Sequence, residues 1–223
     1  MTVFPHHDDL VALFRDFGFT HVADTARGES KLVKPMSVTA AGAPELPPFD
    51  FHVRYGPYAV TTAGVGLYIV PIQPRYSDVL LPETAVTSSL FAGAFAFGNG
   101  IRKAYLCNAQ ARQIARGDIL LFYRSQKAQG LIATGVVEQT LVSRDPEEIA
   151  RVVGKRTVYR LSEIEMLADN GEVLVLMFRQ SRILNPPIGL GELRAHEVIK
   201  SAPQSIASIR KGGAEWLSNR IAG

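Results

Sequence analysis

Six basic residues, Arg102, Lys103, Arg112, Arg116, Arg124 and Lys127, fall between positions 102 and 127 against a single acid, Asp118. Two tyrosines, Tyr105 and Tyr123, and the amides of Asn99 and Asn108 lie in or beside the same stretch. Together these side chains have the chemistry to hold a flat, hydrogen-bonding ligand with negative charge next to it. A tyrosine ring stacks on a nucleobase, a contact worth ~1–3 kcal/mol. An asparagine amide presents the paired donor and acceptor that match a base edge. Asn99, Tyr105, Asn108, Tyr123 and Ser125 are therefore the candidate base pocket. Arg102, Lys103, Arg112 and Arg124 are candidate phosphate contacts, which would make affinity salt-dependent. Two further basic groups extend the set: Arg156 in "GKRTVYR" with Lys155 and Tyr159, and Arg179 with Gln180 and Arg182. Each feature also has a plainer reading. A lone tyrosine fits a core position with its hydroxyl at the rim, a basic run fits a solvated face, and residues 154–160 fit a helix end that complements the dipole.

The elements that must position these residues are legible in part. Strand-like runs "DILLFYRS" and "LIATGVVEQTLV" flank the polar loop "QKAQG" and predict a hairpin. "GEVLVLMFRQSRIL" predicts another long strand, and "GLYIVPIQP" a shorter one. "FDFHVRYG" alternates and reads as a strand before the Gly56-Pro57 turn. "PEEIARVVG" predicts a helix with proline in its first turn and two acids at its positive end, and a helical stretch ends the chain. Upstream, Leu10, Leu13, Phe14 and Phe17 at helical spacing predict an amphipathic helix over 8–17, capped by Asp8 or Asp9 and stopped at Gly18. "FTHVAD" and "ESKLVK" around Arg27-Gly28-Glu29 predict a hairpin. The Pro/Ala/Gly-rich "PMSVTAAGAPELPP" predicts a linker near 35–48. The expected organisation is a helix–hairpin element over 1–35, a linker and connecting strand over 36–64, and a domain over 65–223. The fold class expected is α+β, a closed or half-closed mixed β-barrel with short flanking helices.

Composition bounds the setting. Net charge is +3, from 24 basic and 21 acidic residues, so any anionic partner must be received locally rather than by the whole surface. The single cysteine, Cys107, excludes an internal disulfide and fits a reducing, cytoplasmic compartment. "MTVFPHHDDL" has acids where a signal peptide needs its apolar core. "SSLFAGAFAFGNG" is too short for a membrane span and reads as a buried or partly ordered connection. His6 and His7 beside Asp8 and Asp9 mimic a metal site, but adjacent residues rarely converge on one ion. No Gly-X-Ser-X-Gly, HExxH or Walker loop is present, and no cofactor is expected.

"AYLCNAQARQIARGDILLFYRSQKAQGLIATGVVE" resembles the central motif of the EVE family of PUA-like domains, through Asn108, Ala111, Arg112, Gly117, Asp118, Tyr123, Ser125, Gly135 and Glu138. "GNGIRKAYLC" is similar to the corresponding stretch of the related YTH domains, and "PIGLGELR" and "PQSIASI…EWL" resemble the closing helices. The tryptophan of the family's first pocket loop has no counterpart, the one tryptophan being Trp216. The resemblance implies a PUA-like barrel that recognises a modified or flipped-out base in RNA or DNA. Through the related ASCH domains it also implies an alternative, a deacylase on a modified nucleoside, for which Lys103, Thr134 and Glu138 are the available residue types, outside that family's motif. "LFRDFGFTHVADTARGESKLVK" resembles the last helix and final two strands of a GNAT acetyltransferase. The acetyl-CoA loop of that family is absent, so the resemblance implies an appendage or a docking surface, for a copy of the chain or a partner acetyltransferase, rather than acetyl transfer.

Overall fold

The computed structural model describes residues 1–4, 7–38, 45–85, 100–126, 128–209 and 211–222. The chain divides into two units, Met1–Thr61 and Thr62–Gly223. Asn99, Lys127, His6, nearly all of "SSLFAGAFAFGNG" and residues 39–44 of the expected linker lie outside the described residues.

In the first unit, strand β1 (Thr2–Val3), helix α1 (Asp8–Asp16), strands β2 (Thr20–Asp24) and β3 (Ser30–Val33) and helix α2 (Pro48–Tyr55) follow in order. The strands form an antiparallel sheet ordered β1-β3-β2. His7, not an aspartate, occupies the N-cap of α1 and makes no side-chain cap bond. Asp8 and Asp9 sit inside the first turn, where they complement the positive helix end. Gly18 ends the helix with φ +82°, and a Cβ there would lie 1.9 Å from the Val53 carbonyl oxygen. Thr25 closes the hairpin: its Oγ1 accepts from the Glu29 amide at 3.0 Å.

The expected strand "FDFHVRYG" is a helix. Pro48 at its first position fixes φ for a helical start, Asp50 lies in the first turn, and Phe49, His52 and Tyr55 are buried at a spacing of three. The alternation of Phe49, Phe51, Val53 and Tyr55 is equally compatible with a strand, and the prolines decide against it. Lys34 Nζ donates to the carbonyls of Phe17 and Val53, at 2.7 and 3.0 Å.

The second unit is built on one six-stranded sheet. Its elements in chain order are β4 (Leu67–Ile72), α3 (Pro74–Leu80), β5 (Arg102–Cys107), β6 (Ile119–Arg124), β7 (Gly130–Ser143), α4 (Pro146–Val153), α5 (Leu161–Asp169), β8 (Val173–Gly189), α6 (Leu190–Ala195), β9 (Ala207–Ser208) and α7 (Lys211–Ala222). The order across the sheet is β5-β8-β7-β6-β4-β9, antiparallel except for the parallel β4–β6 pair. Register shifts in the β6–β7 and β7–β8 ladders bend the two long strands. The barrel does not close: β5 and β9 stand at opposite ends of the sheet, and beyond β5 the described residues add a single bridge, Ala104 to Thr157.

Both faces of the sheet are covered. Along β8, Leu174, Leu176 and Phe178 enter one apolar cluster with Phe122, Ile132 and Val137. Val173, Val175 and Met177 enter a second cluster with Ile149 and Val153 of α4 and Ile164 of α5. Burial on both faces is why "VLVLMF" reads as an unbroken apolar run rather than an alternating one. Asp145 caps α4, its Oδ1 accepting from the Glu147 amide at 2.9 Å. Asp118 ties the loop before β6 to β4: its two carboxylate oxygens accept from the amides of Gly66, at 2.7 Å, and Ala115, at 2.8 Å.

Candidate nucleobase cleft

The C-terminal ends of β4 and β5 and the turn after β6 line one space, together with α3, the stretch before α5 and residues 202–206. Between them is a cleft of about 690 Å³. Because alternate strand residues share a face, Tyr105 and Cys107 of β5 both turn toward the cleft and its adjoining core, while Ala104 and Leu106 pack under α4 and α5.

Three tyrosines form the walls. Tyr105 donates to the Pro71 carbonyl at 2.8 Å and Tyr159 to the Leu106 carbonyl at 3.0 Å, so both rings are held by a bond at the far end. Tyr76 of α3 lies against Tyr159, with ring centroids 4.8 Å apart and an interplanar angle of 32°. The Arg75 guanidinium sits over the Tyr76 ring at 4.4 Å. Burial holds the phenols of Tyr105 and Tyr159 well above the usual tyrosine range. Burial and then the Glu163 charge push Tyr76 up as well. Burial also pushes up the Cys107 thiol. These four groups stay neutral at ordinary pH.

The remaining polar lining is mostly uncharged among the described residues. Gln73, Asn108, Ser125, Gln126, Gln129, Gln204 and Ser205 present amides and hydroxyls, and among the described residues Arg75 is the one charged residue of the lining. Gln126 is held at φ +65° in the loop between β6 and β7, an uncommon conformation for a residue other than glycine. A neutral cleft walled by flat rings and rich in amides suits a planar ligand whose edge carries both donors and acceptors.

The residues singled out from sequence divide between the cleft and its supports. Tyr105, Asn108 and Ser125 line the cleft. Asn108 spends its amide donors on the carbonyls of Leu167, at 2.9 Å, and Glu172, at 3.1 Å, which pins the wall rather than offering those hydrogens to a ligand. Tyr123 does not line it. Its side chain is fully buried, behind the cleft, with its hydroxyl 3.4 Å from Gln129 Oε1. Its neighbour Phe122 belongs to the apolar cluster that also holds Tyr105, so alternation along β6 turns Tyr123 to the other face, against Gln129.

The basic residues are mostly spent within the protein. Lys103 is fully buried and donates to the Leu80 carbonyl. Burial pulls its ammonium down to about 8, partly opposed by Glu83. Arg124, also buried, donates to the carbonyl and hydroxyl of Thr84 and faces Asp78 at 3.4 Å. Both staple the end of α3 to the sheet. Arg102 is bonded to Glu138, and buried Arg179 lies 3.8 Å from the same carboxylate. Lys103, Arg124 and Arg179 are therefore structural and out of reach of a phosphate. Arg112 is exposed and bridges Glu172 at 3.0 Å and the Ala109 carbonyl at 2.7 Å, beside the cleft wall. Arg156 is half-buried in a 3-10 turn, Gly154–Arg156.

Lys103, Thr134 and Glu138 do not form a catalytic set. Lys103 is tied to Leu80, Thr134 accepts from the Arg182 amide at 3.2 Å, and Glu138 serves the two arginines. Sequence reasoning missed Gln73, Arg75 and Tyr76, which sit in "IQPRY" where β4 passes through a proline into α3. An Arg-Tyr pair just after a strand end was the available signal.

No protein-family model matches the sequence, and no curated protein does. Among solved structures, ASCH from Zymomonas mobilis matches with a TM-score of 0.53 at 12% identity, over 69% of this chain and 94% of that one. A single-residue mutant of the same protein matches with the same score over 95% of its length. The human THYN1 protein in complex with 5-methylcytosine containing DNA matches at 12% identity over 71% of this chain and 98% of that one, with a TM-score of 0.41. The likeness to the ASCH structures establishes the fold, an α+β domain of the PUA-like type. The looser fit to the human protein specifies no shared feature of the site.

Proposed function

We propose that the Thr62–Gly223 unit is a nucleic-acid-binding PUA-like module whose cleft receives a single flipped-out base, modified or not. One observation carries this reading: a cleft of about 690 Å³ with three neutral tyrosine rings and a rim of uncharged amides, with Arg75 as its one charge among the described residues. That volume is within the ~300–1,000 Å³ usual for small-ligand sites. Rings supply stacking for any base, and the amides of Gln73, Gln126, Gln129 and Gln204 supply the discriminating hydrogen bonds.

The test is a thermal-shift screen of ordinary and modified nucleosides, followed by titration of fluorescent single-stranded RNA and DNA at low salt. A ligand at a hundredfold excess over Kd stabilises the fold by about 2.7 kcal/mol. Binding in the cleft also slows alkylation of Cys107, which lines it. Absence of any shift, with no oligonucleotide binding at low salt, overturns the proposal.

A second reading concerns the first unit, and the GNAT resemblance belongs to it. All five residues of β2 are exposed at the edge of their sheet, and Leu13 of α1 is half-exposed. An unpaired strand edge is a template for another chain, which supports self-pairing of this unit. Light scattering tests it: a strict monomer at micromolar concentration removes it.

A further inference from the structure

Beyond the Arg75–Tyr76 pair lies a second, smaller basin of about 370 Å³. Arg75 and Tyr76 line both spaces, so the two are neighbours separated by one side-chain layer. Val79 closes the basin from α3, and Val158, Arg160, Ser162 and Glu163 close it from the start of α5. Its chemistry is unlike that of the cleft. Two arginines line it from different elements, Arg75 and Arg160, and both are exposed.

These two arginines differ from five others in the unit. Arg102, Arg112, Arg124, Arg179 and Arg220 each have a carboxylate partner. Among the described residues, no ion pair involves Arg75 or Arg160. Arg75 is held instead by the Tyr76 ring. Among the described residues the basin has one acid, Glu163, whose Oε2 accepts from the Arg160 amide at 2.9 Å and whose Oε1 accepts from the Tyr76 hydroxyl at 3.3 Å. The basin keeps a net positive charge, with Ser162 as a further hydroxyl donor.

We propose that this basin binds the phosphate adjoining the base held in the cleft. The inference rests on the base-cleft reading and adds the path of the backbone: base on one side of the Arg75–Tyr76 layer, phosphodiester on the other, in the fork of Arg75 and Arg160. Guanidinium forks suit phosphate oxygens through paired N–H donors. Such a site distinguishes a nucleotide within a strand, or a free nucleotide, from a bare nucleoside.

The experiment compares the intact protein with Arg160→Gln, since Arg160 lines the basin and not the cleft. Arg194→Gln, an exposed arginine outside both spaces, is the control. The probes are the ordinary ribo- and deoxyribonucleosides, their 5′- and 3′-monophosphates, and the matching homotrinucleotides, each titrated at several salt concentrations. The expected result is a gain of about tenfold from nucleoside to nucleotide or trinucleotide, together with a salt dependence. Arg160→Gln removes most of that gain and lowers the salt slope by about one, while Arg194→Gln leaves both in place. A gain confined to trinucleotides identifies a strand as the ligand, and a gain already present in monophosphates identifies the free nucleotide; either supports the basin as the phosphate site. Nucleoside binding with no phosphate gain, or a gain that survives Arg160→Gln, overturns the inference and leaves the base cleft standing. Failure of every probe to bind or to protect Cys107 overturns the base reading, and the basin with it.

Discussion

Replacement of Lys103 by methionine isolates the energetics of a lysine that sequence placed on the surface and the fold placed inside. The ammonium is fully buried, bonded to the Leu80 carbonyl, and pulled by burial from 10.5 down to about 8. At about 1.4 kcal/mol per pH unit, that gap corresponds to about 3 kcal/mol. At pH 7 the lysine is charged in both states, and the folded state carries the whole cost. Methionine keeps the apolar stem and removes the charge. It also gives up the bond to Leu80, worth about 1 kcal/mol. Lys103→Met is therefore more stable than the parent by about 2 kcal/mol at pH 7. Between pH 8 and 10.5 the unfolded parent holds a proton that the folded parent has released, so parent stability rises with pH. The advantage of the variant fades across that window and ends about 1 kcal/mol negative. Urea unfolding at pH 7, 8, 9 and 10, followed by Trp216 fluorescence, measures it. Cys107 and the tyrosines titrate in both proteins and cancel in the difference. A stability difference that stays constant with pH, or an advantage that grows, refutes the reasoning.

Other consequences are equally direct. Tyr159→Ala lowers affinity for a bound base about 5- to 150-fold, the equivalent of ~1–3 kcal/mol of stacking, while Tyr159→Phe keeps the ring and most of the affinity; equal losses in titrations of the two variants count against stacking. Gly135→Ala places a Cβ 2.4 Å from the Phe178 ring, inside a packed cluster, and costs about 1–3 kcal/mol, read as a lower urea midpoint. Asp118→Ala strips the Gly66 and Ala115 amides of their acceptor and costs roughly 2–4 kcal/mol. Asp118→Asn costs less, since one amide oxygen still accepts. An unchanged midpoint in Asp118→Ala contradicts the role assigned to that carboxylate.

Local rules written in the sequence determined most of the elements. The helix of residues 8–16 follows from apolar spacing and a glycine stop, and the β6–β7 hairpin from two β-branched runs around a polar loop. The helix at 146–153 follows from Asp-Pro followed by two acids. Each depends on neighbours a few positions away, which is why it is legible without the fold. The segment 48–55 shows the limit even there, because its apolar pattern satisfies two periods and only the paired prolines separate them. The α+β class was legible too, from the density of strands and the resemblance of the 104–138 stretch, and of the two expected forms, closed or half-closed, the fold takes the one that leaves β5 and β9 apart.

Tertiary structure alone decided which polar residues line the cleft. A run of basic residues looks the same in sequence whether its members meet solvent or a carbonyl. The choice for Lys103 and Arg124 depends on Leu80 and Thr84, more than twenty positions away. Tyr123 and Tyr105 are indistinguishable by type and neighbourhood, yet Tyr105 shares its apolar cluster with Phe122, and alternation along β6 turns Tyr123 to the other face. The cleft itself joins β4, β5, β6, α3, the approach to α5 and residues 202–206, segments brought together only by the parallel β4–β6 pairing and the covered sheet. Side-chain chemistry is a property of the residue, but exposure and convergence are properties of the packing. The sequence therefore supplied the tyrosines and amides, and the fold selected which of them share a surface.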